Sequence, residues 1–269
     1  MTKRAYGRGE RWAIILSGGE GTRLSLLTSR RYGEHRPKQY CAFHGRRTMF
    51  DHTMSRAVDL VGPQRVVTVI GRGHMRFLES SPSPLLGYAV EQPRNCETAP
   101  GIYLPLSYVM AYDPDATVLI FPSDHFVRPN ALFLHYIGRA AALCERNPSR
   151  IVLAAAVADR AETEYGWIQA TSLGDPSEPL ARSVLRFHEK PGPAQAESFL
   201  RAGYAWNTFN MAVKASALWE LGWAYHPKMM KRFELLRAAI GTARESEALT
   251  LAYSDMESVN FSTGILEKA

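Results

Sequence analysis

The amino-acid sequence predicts an α/β protein, a mostly parallel β-sheet with helices on both of its faces. Three features point there. Short apolar runs at residues 12–16, 65–70, 117–121 and 151–156 carry no polar face, as strands covered on both sides do. Helical periodicity lies between them, and alternation of this kind builds parallel sheets. A glycine-rich turn follows the first run directly, where α/β proteins offer backbone N–H groups to anions.

Taken in order, the run 12–16 leads into Leu16-Ser17-Gly18-Gly19-Glu20-Gly21-Thr22-Arg23-Leu24. The glycines let the main chain come close to an anion, and Arg23 adds a planar cation suited to bidentate phosphate contact. No Gly-Lys-Ser/Thr follows, so this is not a Walker A loop. It also fails as a dinucleotide fingerprint, because Leu24 stands where a third small residue should pack. A tight turn and a phosphate cradle both remain open at this point. Next, Phe50, Met54, Ala57 and Val61 recur at helical spacing behind Thr48 and Asp51, a capping pair. After the run 117–121, Asp124 places a carboxylate at a strand's carboxyl end, a position suited to Mg²⁺. A cap for the helix predicted over 129–147 would lie further downstream, and His125 reads as structural. From residue 165 the pattern changes to closer strands at 165–170, 181–188 and 205–213, interrupted by a polar stretch at 171–179. Residues 218–252 are mostly helical. There is no internal repeat and no low-complexity tract.

At 269 residues the chain can bury one large core without division. Its 46% hydrophobic and 22% charged residues exclude a disordered chain. The 3 cysteines (Cys41, Cys96, Cys144) are far apart and lack metal-ligand spacing, which argues for reduced thiols and a cytoplasmic location. No apolar stretch nears the ~18 residues of a membrane span, and Met1-Thr2-Lys3-Arg4 has no apolar run behind it, so no signal peptide is expected. The formal charge of +6 suits an anionic partner. Its densest basic cluster (Arg23, Arg30, Arg31, Arg36, Lys38) sits among the motifs, and no interleaved aromatics suggest nucleic acid. Phosphates of small molecules account for the charge.

Further segments stand in order along the chain: Arg36-Pro37-Lys38-Gln39-Tyr40; Glu91-Gln92-Pro93-Arg94-Asn95 with Thr98-Ala99-Pro100; Phe121-Pro122-Ser123-Asp124-His125; Tyr165-Gly166-Trp167-Ile168; Phe187-His188-Glu189-Lys190-Pro191; and Trp206-Asn207. With the glycine turn, this set resembles the sugar-1-phosphate nucleotidylyltransferases, in particular the mannose-1-phosphate guanylyltransferase branch, over about residues 11–268. The resemblance implies a Rossmann-like sheet of the nucleotide-diphospho-sugar transferase type, with a sugar-binding β subdomain inserted in it. A single nucleotidyltransferase unit over 1–269 would then have a nucleotide half at about 11–160 and a sugar half at about 161–269. It further implies transfer of a nucleotidyl group from a triphosphate, GTP favoured, to a sugar 1-phosphate, mannose 1-phosphate favoured, with Mg²⁺ as cofactor. Ser17, Gly18, Gly19, Gly21 and Thr22 would cradle the triphosphate, with Glu91, Arg94 and Asn95 beside the nucleotide. Arg23 and Lys38 would be the catalytic cations, the latter on a loop stiffened by Pro37. Gly166, Glu189, Lys190 and Asn207 would take the sugar phosphate, and Asp124 with the position of Asn260 the metal. No membrane or nucleic-acid partner is implied, and a homo-oligomer is compatible with the resemblance.

The chain also departs from that family. Cys96-Glu97 intervenes before Thr98, and Thr208-Phe209 follows Trp206-Asn207 where Ser-Gly is commoner. Asn260 stands where an aspartate usually helps hold the metal. The sequence stops at Ala269, before a Gly-Trp-Ser-Asp-type segment and without a C-terminal β-helix, so the sugar site is expected to be partly open or covered by another chain. An active transferase and a degenerate, weakly active sugar-nucleotide binder with a regulatory role are therefore the two functions to separate.

Overall fold

The computed structural model describes residues 7–81, 83–174 and 178–269. Met1-Thr2-Lys3-Arg4 and part of the polar stretch 171–179 lie outside these residues. Among the described residues, eight strands form one sheet: β1 (Arg11–Ser17), β2 (Val66–Ile70), β3 (Tyr88–Glu91), β4 (Thr117–Pro122), β5 (Val152–Val157), β6 (Gly166–Ala170), β7 (Val184–Glu189) and β8 (Ala205–Lys214). Their order is β3-β2-β1-β4-β8-β6-β7, with β5 paired to β8. The sheet is mixed. The β1–β2, β1–β4 and β2–β3 pairs are parallel, and every pair involving β8 is antiparallel, as is β6–β7.

The apolar runs on both faces have a simple cause. Trp12 and Ile14 of β1, with Val118 and Ile120 of β4, face one core layer. Ala13, Ile15, Leu119 and Phe121 alternate with them and face the other. The first layer is closed by α4 (Thr98–Tyr112), α7 (Ala215–Tyr225), α8 (Pro227–Ala239) and α9 (Glu245–Ser254). The second lies under α2 (Met49–Val61), α3 (Met75–Glu79) and α5 (Asn130–Arg146). Two further helices, α1 (Ser25–Tyr32) and α6 (Pro193–Arg201), sit outside these layers, the latter covering a small cluster of Trp167, Phe199 and Trp206. No helix among the described residues is long and apolar enough to cross a membrane.

Helix α2 begins as its sequence predicts. The Asp51 amide donates to Thr48 Oγ1 at 3.1 Å while Asp51 Oδ2 accepts from the Thr48 amide at 2.8 Å, a reciprocal cap. Phe50, Met54, Ala57 and Val61 are all buried. Strand β5 differs from expectation. Its sequence predicts a strand covered on both faces, yet it is half-exposed, with Val157 91% exposed. It pairs with β8 alone among the described strands, and the register shifts between Ala154 and Ala155, where β8 carries the extra residues Thr208 and Phe209.

Strand β8 makes the turn between the two halves of the sheet. Its last residues pair with β4 and its first with β6. Between them, Asn207 Oδ1 accepts from the Phe209 amide at 3.0 Å, and Phe209 has φ of +59°. That is the left-handed region, costly for an aromatic residue and free for glycine.

Candidate active site

The carboxyl ends of β1 and β4 lie side by side, and the Ser123 hydroxyl donates to the Leu16 carbonyl at 2.7 Å across them. The glycine turn leaves from this point. A Cβ at Gly18 would stand 2.3 Å from Gln92 Nε2, and one at Gly21, whose φ is +64°, would stand 2.9 Å from the Lys38 amide. At Gly21, against backbone and at positive φ, only glycine permits the approach, whereas a side chain at Gly18 would require the Gln92 amide to move. Gly19 faces open space. Gln39 pins the turn from below, its Nε2 donating to the carbonyls of Ser17 (3.2 Å) and Gly19 (2.7 Å). The two sequence segments are thereby locked together.

Against this turn lies a concavity of about 90 Å³ lined by Leu16, Gly19, Gly21, Lys38, Gln39, Ser123 and Asp124. Lys38 Nζ sits 2.6 Å from Asp124 Oδ2, and His125 Nε2 sits 3.7 Å from Oδ1. Burial pushes the Asp124 carboxyl upward, but the charges of His125 and Lys38 outweigh it and hold the group below its ordinary value. His125 is held down chiefly by burial and further by the Lys38 and Arg56 cations, against the pull of Asp124. A carboxylate and a lysine thus share one polar floor. Among the described residues, no group of three or more His, Cys, Asp or Glu side chains could hold a metal by itself. One carboxylate beside a phosphate-sized space fits an ion such as Mg²⁺, which keeps water and substrate oxygens as ligands.

Arg23 stands outside that floor. Its guanidinium meets Glu164 Oε2 at 2.7 Å, joining the glycine turn to the loop before β6. Both side chains are well exposed, so the pair contributes little stability. It spans the gap between the two halves. Beyond it, Gly166, Glu189 and Asn207 cluster on neighbouring strands. A Cβ at Gly166 would come within 3.0 Å of Glu189 Oε2 and 3.3 Å of Asn207 Cβ. Burial raises the Glu189 carboxyl above its ordinary value, opposed by the Ser262 hydroxyl and Lys190. Lys190 is held at the end of β7 with φ of +45°, its amide donating to the Tyr165 carbonyl at 3.2 Å.

Several candidates stand elsewhere than the sequence suggests. Ser17 is fully buried and its hydroxyl bonds Tyr40 Oη at 3.0 Å, so only its backbone borders the turn. Arg94 donates to the carbonyls of Tyr253 (2.9 Å) and Met256 (2.6 Å), which anchors the end of α9. Asn95 Oδ1 accepts from the Glu97 amide. Asn260 Oδ1 accepts from the amides of Ser262 (2.9 Å) and Thr263 (3.2 Å). Both hydrogen bonds hold the start of the last helical turn. Thr22 is exposed in the short helical turn after Gly21, and Glu91 ends β3 in register with Ile70. The sequence motifs contained Gln39 and Ser123 without marking them. Their signal is burial of a polar side chain next to a glycine turn, which appears only in three dimensions.

The fold is that of an α/β protein, and the glycine turn, Lys38 and Asp124 meet at the carboxyl ends of its parallel strands, where such sheets place their ligand crevices. Comparison with known proteins makes this specific: the chain belongs to the nucleotidyl transferase family, whose profile matches residues 12–241. It is 29% identical over 263 residues to the alginate biosynthesis protein AlgA of Pseudomonas syringae pv. tomato, covering 95% of this chain and 52% of that one. It is 27% identical over 219 residues to mannose-1-phosphate guanylyltransferase 2 of Escherichia coli O157:H7, covering 77% and 44%. The chain spans about half the length of these relatives. A crystal structure described as mannose-1-phosphate geranyltransferase from Thermus thermophilus superposes with a TM-score of 0.80 at 25% identity, over 97% of this chain and 72% of that one.

Proposed function

We propose that the protein is a nucleotidylyltransferase that joins a nucleoside triphosphate, GTP in preference, to mannose 1-phosphate or a close relative. The observation that carries the proposal is the meeting of Gly19, Gly21, Lys38 and Asp124 in one cavity, tied by Arg23–Glu164 toward the Gly166, Glu189 and Asn207 cluster. A sugar 1-phosphate oxygen attacks the α-phosphorus. The bond from that phosphorus to the bridging β-oxygen breaks, and pyrophosphate leaves with the electron pair. Two polyanions must approach each other, so charge compensation and positioning supply most of the rate. The exposed amides of the glycine turn and the Lys38 ammonium would neutralise the triphosphate, and Arg23 the leaving pyrophosphate. When bound, Mg²⁺ on Asp124 would screen phosphate charge as the substrates meet. Lys38 must then share Asp124 with that ion.

On the sugar side, Glu189 and Asn207 would accept and donate to ring hydroxyls, Gly166 would let the ring lie on backbone, and Lys190 would take the sugar phosphate. A hydroxyl missing from the wrong sugar would leave these groups unsatisfied, which supplies specificity. The buried free thiols of Cys41, Cys96 and Cys144 fit a reducing compartment, which we read as the cytoplasm.

The test is a panel of triphosphates and sugar 1-phosphates with Mg²⁺, scored by pyrophosphate release. The highest turnover is expected for GTP with mannose 1-phosphate. A preference for UTP or dTTP with glucose 1-phosphate would sink the base and sugar assignment and spare the reaction class. Binding of sugar nucleotides with no release from any pair would favour a regulatory binder.

A further inference from the structure

A second concavity lies elsewhere, on the face of α2, and shares no lining residue with the cavity at Lys38 and Asp124. It measures about 490 Å³, within the range of sites that hold small organic ligands. Arg47, Arg56, Arg128, His52, Ser55 and Phe126 line it, and no carboxylate does. Arg56 is 3% exposed. Its Nη2 donates to Thr53 Oγ1 at 2.7 Å and the His125 carbonyl at 3.0 Å, while its buried Nε has no partner. The buried Nε2 of His52 has none either. Burial, then the Arg47 and Arg56 charges, hold His52 below its ordinary value against the pull of Asp51. Arg47 already donates to the Asp51 carbonyl and the Ser55 hydroxyl, but no carboxylate joins the three guanidinium groups in the lining, and Arg56 keeps a buried donor to spare. The three groups call for an oxyanion.

The cavity holds more than phosphate recognition. Phe126 is 42% exposed, with the His44 and His52 rings packed against it at 5.3 and 5.5 Å and the Arg128 guanidinium 5.4 Å over its face. Such a platform suits the organic body of a phosphate ester. We propose that this cavity is a second binding site, for a small phosphate monoester. The phosphate lies among Arg47, Arg56 and Arg128, and the body lies against Phe126. The Arg56 bond to the His125 carbonyl connects its occupancy to the loop that carries Asp124, so the ligand acts as an effector of that loop.

Calorimetric titration of the full chain with glucose 6-phosphate and with inorganic phosphate tests the proposal. The Lys38→Ala variant removes the cation of the first cavity, and Arg47→Ala/Arg128→Ala removes two exposed arginines of the second. Saturable binding should persist in Lys38→Ala and weaken roughly tenfold or more in the double variant, with the melting curve of the latter showing it folded. Glucose 6-phosphate should bind more tightly than inorganic phosphate. Its addition should shift the His125 ring resonances of the Lys38→Ala protein. Binding lost in Lys38→Ala and unchanged in the double variant would overturn the proposal, as would no saturable binding. Equal affinity for the two probes would overturn the assignment to an ester.

Discussion

Lys38 carries the largest share of the proposed chemistry, because it is the ammonium that reaches the cavity floor at the glycine turn. Lys38→Ala should lower kcat/KM by roughly 10²-fold or more while leaving the melting curve near that of the parent. Its charge is also legible by titration. The His125 imidazole should titrate below the ordinary midpoint of about 6.5, and Lys38→Ala should raise that midpoint, which NMR of the ring protons would follow. The sign for stability follows from the same shifts. A histidine held down is favoured neutral, so its contribution is present above about pH 6.5 and declines as pH falls below it. Asp124 is held down as well. Its contribution is present above about pH 4 and is lost as pH falls through the lowered folded value. Phe209 offers a different single-residue test. Phe209→Gly and Phe209→Ala both remove the ring that packs on Phe261, but only Ala keeps the cost of φ at +59°. The glycine variant should be the more stable of the two by about 1 kcal/mol in chemical denaturation, and equal values would place the strain elsewhere.

At the scale of elements, legibility followed periodicity. Helix α2 could be read down to its capping pair, since it has one buried face and a polar one. Helix α4 could not. It is buried on nearly all sides, contains Pro100, Gly101 and Pro105, and begins after Glu97 at φ of +70°, so it shows neither an amphipathic stripe nor an ordinary start. Strand β3 has four residues and no alternation to detect. The same limit applies to the packing of Arg94. Its motif suggests the nucleotide, but its role depends on α9, far away in sequence. The guanidinium bonds to the Tyr253 and Met256 carbonyls bind α9 to the loop between β3 and α4. Arg94→Ala should therefore lower the melting temperature and leave KM for the triphosphate unchanged within about twofold. A large rise in KM with unchanged melting would return Arg94 to the nucleotide.

For the molecule as a whole, the α/β class and the order of the parallel strands' motifs were open to reading, because buried strands and glycine turns leave local marks. The strands of the antiparallel half were legible too, but their pairing was not, since β8 pairs with β4, β5 and β6 and shifts register against β5 at a point that no local pattern announces. The site follows the same division. Gly19, Gly21, Lys38 and Asp124 come together from ends of elements that the sequence displays, whereas the capping role of Asn260 depends on how the last turn folds back. The central claim is that an oxygen of a sugar 1-phosphate displaces pyrophosphate from the α-phosphorus. The most direct test supplies mannose 1-phosphate labelled with ¹⁸O in its non-bridging phosphate oxygens, together with GTP and Mg²⁺, and weighs both products by mass spectrometry. All of the label should appear in the sugar nucleotide and none in the pyrophosphate. Labelled pyrophosphate, or no sugar nucleotide at any metal concentration, would contradict the claim.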